Sequence, residues 1–182
     1  MPFDGPQPEM DAEGYWHWET DGDLDHNPRL RHLRGFHSSF LADDRTICVW
    51  LPIAYGTEPE RRFPVLYLHD GQNLFDGRTS YVPGRTWCAH ATADRLTRER
   101  LIEPVILVGI ANAGHRRMDE YTPSRDWRHG GGKSPLYARL LVDELKPLID
   151  SCLRTRTGPE NTGLGGSSLG GLVSLAIGLD YP

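Results

Sequence analysis

Cysteine is scarce in this sequence, and what there is falls in no pattern. Cys48, Cys88 and Cys152 are odd in number, far apart and form no CxxC pair. That points to free thiols in a reducing compartment, so a cytoplasmic protein is expected. Long apolar runs are missing as well. Nowhere do roughly 18 apolar residues follow one another, the length a membrane helix needs, and the opening MPFDGPQPEMDAEG has neither a basic n-region nor an apolar h-region. Neither a membrane span nor an export signal is expected. Basic charge is also short, with 20 Lys and Arg against 25 Asp and Glu and a formal net charge of -5. No basic block is present to neutralise a run of phosphates, which excludes nucleic acid as a partner.

What is present fits one soluble domain. The 182 residues are 38% hydrophobic and 25% charged, enough for a real core and too few for two domains by default. Residues 1–28 are acidic and rich in Gly and Pro, broken by the aromatic knot Tyr15, Trp16 and Trp18. They read as an N-terminal arm pinned to a domain spanning 29–182. Within the arm, Asp21, Asp23, Asp25 and Asn27 imitate the start of a calcium loop. The sixth and twelfth positions of that loop call for Gly and Glu, and here hold His26 and His32. A solvated acidic loop is the better reading, and no metal is expected.

Downstream, short apolar runs alternate with turn signals. Leu33 to Leu41 and Thr46 to Pro52 read as strands joined by a hairpin at Asp43-Asp44. PVLYL at 64–68 and VILVGI at 105–110 are continuous apolar runs of the kind that form central strands covered on both sides. A helix is predicted over 86–101, and the polar stretch from Asn112 to Lys133 reads as irregular. From Ser134 to Arg154 an apolar stripe of Leu136, Leu140, Leu141, Leu145, Leu148, Ile149, Cys152 and Leu153 repeats near 3.6 residues. Ser134 and Pro135 suit a helix start, and Pro147 should kink or split it. A short strand around 162–166 and a helix from Leu169 follow. Strands alternating with helices predict an α/β fold, a mostly parallel sheet wrapped on both faces.

One motif carries chemistry. Gly165-Gly166-Ser167-Ser168-Leu169-Gly170-Gly171 contains GxSxG centred on Ser168. The bare pattern is weak, but it lies between a candidate strand and an apolar helix, where a nucleophile elbow belongs. A serine on so sharp a turn needs small neighbours two residues to either side, supplied by Gly166 and Gly170. The N–H of Leu169 then opens a helix, where developing negative charge is favoured. A plain Gly/Ser loop stays open as the alternative. A Walker loop does not, because no lysine precedes the serine, and a dinucleotide loop needs an acid about 20 residues on.

The chain further resembles the putative-esterase (esterase D-like) family of α/β-hydrolases. The resemblance rests on VLYLHDGQNLFD, then Trp87, VILVGIAN, RRMDEYTP and GGSSLGG, in order from about Arg45 onward. That group includes enterochelin, feruloyl and acetyl-xylan esterases, S-formylglutathione hydrolases and mycolyltransferases. The resemblance implies Ser168 as nucleophile, backbone N–H groups of Leu169 and Gln72 as oxyanion donors, a small-molecule ester as substrate and no cofactor. Asp119 and Glu120 in RMDEYTP are expected to anchor a turn. His69, ending a buried strand, is expected to be a hydrogen-bonded structural histidine.

The triad order of this fold is Ser, then Asp or Glu, then His. After Ser168 the sequence holds one helix, with Asp180 inside it, and no histidine. The expectation is an incomplete domain lacking its C-terminal strands, either a fragment or part of an assembly, homo-oligomeric or joined by the missing part. Its last strand would then be a bare sheet edge. The alternative to an esterase is a non-catalytic module that binds carbohydrate or a partner protein through its Trp-rich surface.

Overall fold

The computed structural model describes residues 27–182 and the backbone of two dipeptide strands, Glu9–Met10 and Trp16–His17, which pair antiparallel. Tyr15 and Trp18 of the aromatic knot and the aspartates at 21, 23 and 25 lie outside the described residues, and of Trp16 only the backbone is described.

Five strands form the central sheet: β1 (Leu30–Phe36), β2 (Arg45–Trp50), β3 (Val65–His69), β4 (Ile106–Ile110) and β5 (Thr162–Gly165). Their order is β1-β2-β4-β3-β5. β2 runs antiparallel to both β1 and β4, whereas β3 is parallel to β4 on one side and to β5 on the other. The sheet is therefore mixed at one end and parallel around β3, within an α/β architecture. The two apolar runs form the central strands as expected. β4 is buried along its whole length; β3 alternates, with Val65, Tyr67 and His69 buried and Leu66 and Leu68 half-buried.

The predicted hairpin differs in detail. β1 starts and ends earlier than the apolar pattern suggests, and the ladder shifts register between Leu33 and Phe36. Gly35 sits there at φ 67°, a conformation glycine adopts without the Cβ clash, and the connection to β2 is a loop over 37–44 rather than a tight turn at Asp43-Asp44.

Both faces of the sheet are covered. One carries Leu30, Cys48, Trp50, Leu74, Phe75 and Leu107, with Ala89 and Ala93 of α2 (Ala89–Arg98) packed on it. The larger core lies on the other face, under a helical run of α4 (Ser134–Arg139), a π-helical turn (Leu140–Leu145) and α5 (Lys146–Cys152), joined by α6 (Leu169–Asp180). A short α1 (Ile53–Thr57) precedes β3.

Pro147 does not break the long helix. The wider π turn ends just before the proline, a place where a lost N–H can be absorbed without a sharp kink. The extra residue in that turn also changes the phase of the apolar stripe. Upstream of it Tyr137 and Ala138 are buried, while Leu136 is exposed. The helix start is corrected too. Lys133 occupies the cap position, Ser134 is the first helical residue, and no side chain caps it. The N–H groups of Lys133 and Ser134 donate instead to the Asp119 and Thr122 carbonyls.

Residues 112–133 are more regular than expected. They contain a 3₁₀ turn (Gly114–Arg116), α3 (Arg117–Tyr121) and a two-residue antiparallel ladder of Arg125–Asp126 with Gly130–Gly131. Side-chain caps organise this segment. Asp126 accepts from the N–H groups of Arg128 and His129, and Asp119 from that of Gly131.

Candidate active site

Two sharp turns leave the carboxyl ends of adjacent parallel strands, with Leu68 of β3 opposite Gly165 of β5. That end of a parallel sheet is where α/β folds bind ligands. The first turn follows β5. Ser168 adopts φ 57° and ψ -121°, a strained conformation for a residue with a side chain, and α6 begins at the next residue. Three helical bonds hold it there: Gly170 N–H to the Ser167 carbonyl, 2.8 Å, and the Gly171 and Leu172 N–H groups to the Ser168 carbonyl, 3.0 and 3.1 Å. The side chain of Ser168 is exposed and makes no hydrogen bond among the described residues.

The two flanking glycines are not equivalent. A Cβ on Gly166 would stand 2.7 Å from the Gly170 carbonyl carbon and 2.9 Å from its Cα, inside backbone that cannot move aside. On Gly170 a Cβ would meet Asp70 Oδ2 and His69 Cβ at 3.4 Å, an ordinary contact. The spacing rule thus holds strictly for the first glycine only.

The second turn follows β3. Asp70, buried, takes the left-handed conformation at φ 59° and ψ 46°, and Gly71–Asn73 form a 3₁₀ turn. Gly71 lies against β4, where a Cβ would come within 2.5 Å of the Gly109 carbonyl carbon. The Gln72 side chain reaches the end of β4, its Oε1 accepting from Asn112 N–H at 3.2 Å. Its backbone N–H, like that of Leu169, donates to no acceptor among the described residues.

A charged cluster ties the turns together. Arg117 donates from Nε to Asp70 Oδ1 at 2.7 Å and from Nη2 to Asp70 Oδ2 at 2.8 Å. Nη2 also reaches the Ser167 carbonyl at 3.4 Å, and Asn112 Nδ2 donates to Asp70 Oδ1 at 2.7 Å. The Asp70 carboxylate raises the Arg117 pKa, so the guanidinium is held charged. Asp70, Asn112 and Arg117 lie within VLYLHDGQNLFD, VILVGIAN and RRMDEYTP, but no local spacing in the sequence marks them as partners.

The remaining sequence-predicted residues behave as supports. His69 is fully buried between Tyr121 and Tyr137, and its Nδ1 pairs with the Tyr137 hydroxyl at 2.9 Å. Burial pushes its pKa down to about 4 against the opposing pull of Asp70, with Arg117 adding to the fall. It is neutral at pH 7. Glu120 is buried and accepts from Arg45 Nη2 at 2.9 Å. Asp119 is held below the usual carboxylate range, first by the Gly131 N–H and then by Lys133. None of the three cysteines is in a disulfide. Among the described residues no cluster of His, Cys, Asp and Glu is placed to hold a metal ion, and no helix is long and apolar enough to cross a membrane.

Comparison with known proteins shows the family and the fold. A family model described as Putative esterase matches residues 38–182. The uncharacterized protein YbbA of Bacillus subtilis is 30% identical over 156 residues, covering 82% of this chain and 57% of that protein. The endo-1,4-beta-xylanase/feruloyl esterase of Xylanibacter ruminicola is 30% identical over 154 residues, 81% of this chain and 19% of its own length. Among solved structures, an IroE-like serine hydrolase from Shewanella oneidensis superimposes with a TM-score of 0.67 at 29% identity, covering 84% of this chain and 47% of its own. The siderophore hydrolase EstA from Aspergillus nidulans shares the fold with a TM-score of 0.68 at 19% identity, covering 91% of this chain and 58% of its own. The chain spans little more than half the length of YbbA, and less of the xylanase/feruloyl esterase.

Proposed function

The chain belongs to the Putative esterase family, and on that premise we propose that it is the nucleophile-bearing part of a carboxylic-ester hydrolase, with Ser168 as its nucleophile. One observation carries the reading: an exposed serine at φ 57° opens a helix whose first amide, on Leu169, has no other acceptor among the described residues. With ψ at -121° Ser168 lies outside the left-handed region that Asp70 and Cys88 occupy, and strain of that kind suits an acyl-transfer site better than a plain loop. Gly166 and Gly170 serve the corner as its elbow glycines.

In the reaction, Ser168 Oγ bonds to the acyl carbon of a small-molecule ester while its proton passes to a histidine base. The carbonyl π pair moves onto oxygen, which accepts from the N–H groups of Leu169 and Gln72. Collapse expels the alcohol, which takes up that proton. Water then attacks the acyl-serine, releasing the carboxylic acid and restoring the hydroxyl. His69 is unsuited to be the base, since it is buried and engaged with Tyr137. The base and its acidic partner are not among the side chains placed around Ser168, and without them turnover should be slow. The reducing compartment inferred from the scattered thiols makes the cytoplasm its site of action.

A fluorophosphonate tests the assignment. Labelling of the folded protein that is lost in Ser168→Ala supports it. No label in a folded sample favours the alternative, a non-catalytic module binding carbohydrate or a partner protein through exposed rings such as Trp87 and Trp127. β5 is an edge strand of the sheet, and its open side is assigned as a face that a second copy or another polypeptide covers. A well-behaved monomer of residues 1–182 in gel filtration argues against the second copy.

A further inference from the structure

Building on the esterase reading, we propose that Asp70 and Arg117 are positioning residues that set the spacing of the two oxyanion amides. Those amides belong to turns that share no backbone hydrogen bond: the Gln72 turn leaves β3 and the Leu169 turn leaves β5. Something must fix one against the other, because a shift of about 1 Å in such donors is worth roughly a hundredfold in rate.

The guanidinium of Arg117 is the group that touches both. It grips the carboxylate of Asp70, two residues before Gln72, with two bonds at 2.7 and 2.8 Å, and it reaches the carbonyl of Ser167, two residues before Leu169, at 3.4 Å. Asp70 Oδ1 accepts from Asn112 as well, whose own N–H holds the Gln72 side chain. The Asp70 carboxylate also lies 3.4 Å from where a Cβ on Gly170 would stand, so it packs directly against the first turn of α6. A planar fork fits this task and an ammonium does not, because two parallel bonds fix an orientation whereas one point contact fixes a distance. Arg117 keeps a quarter of its side chain exposed and Asp70 almost none, so the carboxylate end of the pair is shielded from water.

The test is the rate of fluorophosphonate labelling per folded molecule, in the protein carrying residues 1–182, with folding monitored by near-UV circular dichroism. Arg117→Met and Asp70→Asn should slow labelling about a hundredfold. Arg117→Lys should lie between them and wild type, and Asn112→Ala should slow it less than Arg117→Met. If Arg117→Met fails to fold, Arg117→Lys and Asn112→Ala carry the comparison. With a small chromogenic ester the loss, counted per folded molecule, should fall on kcat with KM unchanged. Wild type labelled at Ser168 with folded variants labelled equally fast overturns the positioning role and leaves the esterase reading intact. Labelling absent from wild type, or surviving in Ser168→Ala, overturns the esterase reading and the positioning role with it.

Discussion

Replacing Gly166 with alanine should damage the protein far more than the same change at Gly170, although the two are symmetric about Ser168 in the sequence. The Cβ added at Gly166 meets three atoms of the Gly170 backbone, at 2.7, 2.9 and 2.9 Å. These atoms belong to the first turn of α6, whose N–H groups are engaged with Ser167 and Ser168, so the strand and helix must separate. Inserting a methyl group into packed surroundings costs about 1–3 kcal/mol, and a contact made only with backbone belongs near the top of that range. For a chain of this size roughly 3 kcal/mol corresponds to a fall in Tm of about 9 °C. At Gly170 the nearest atoms stand at 3.4 Å and the residue is helical. There the gain in helix propensity from Gly to Ala, about 0.5–1 kcal/mol, offsets the contact, and Tm should stay within about 3 °C of wild type. Thermal unfolding followed by circular dichroism reads both. Equal melting temperatures for Gly166→Ala and Gly170→Ala would refute the account of the corner.

Ser168→Gly should raise stability by about 1 kcal/mol in urea unfolding while abolishing fluorophosphonate labelling, because glycine relieves the positive-φ strain at some cost in chain entropy. A fall in stability would mean the corner is not strained. Arg45→Met should cost about 3–5 kcal/mol by stranding the buried Glu120 carboxylate, and the double variant with Glu120→Leu should recover much of it. A double-mutant cycle with no coupling would contradict that. His69 binds fewer protons in the fold than in the unfolded chain between pH 6.5 and about 4, so stability declines as pH falls through that window. By pH 5 the loss should reach roughly 2 kcal/mol in urea titrations, and His69→Gln should remove this component. An unchanged pH dependence in the variant would place the effect elsewhere.

The parts of the fold legible in the sequence are those coded by neighbouring residues. PVLYL and VILVGI became the paired strands β3 and β4 because an apolar run of five or six residues can be covered only by helices on both faces. The Ser168 corner was legible for the same reason, its steric demand falling on residues two positions away. Where the reading failed, the determinants lay farther off. Ser134 looks like a cap by type, but the Asp119 and Thr122 carbonyls take up the free N–H groups at the helix start. Leu136 fitted a 3.6-residue stripe that the π turn puts out of phase. The stretch 112–133 is polar because its turns are stapled by Asp119, Thr122 and Asp126 side chains, and a composition rich in Gly and Arg resembles an unstructured loop until those bonds are seen. The contact between Arg117 and Asp70 spans 47 residues and leaves no periodic trace.

The two amides proposed to hold the oxyanion both come from within the five strands. The turns bearing Gln72 and Leu169 follow β3 and β5, which are direct neighbours in the sheet, and Asn112 follows β4 on the other side of β3. Three consecutive parallel strands therefore end together, and the groups that brace the corner come from their own extensions. Close approach is secured by glycine at two levels, Gly71 against Gly109 between the β3 turn and β4, and Gly166 against Gly170 between the β5 turn and α6. A side chain at Gly71 would lift the Gln72 turn away from β4, and with it the Asp70 carboxylate from Asn112. Gly71→Ala should therefore mimic Asp70→Asn in its labelling rate while lowering Tm, whereas alanine at Gly84, which faces open space in a loop, should leave the labelling rate unchanged. A Gly71→Ala variant that labels at the wild-type rate would show that the position of the Gln72 amide is not what governs the reactivity of Ser168.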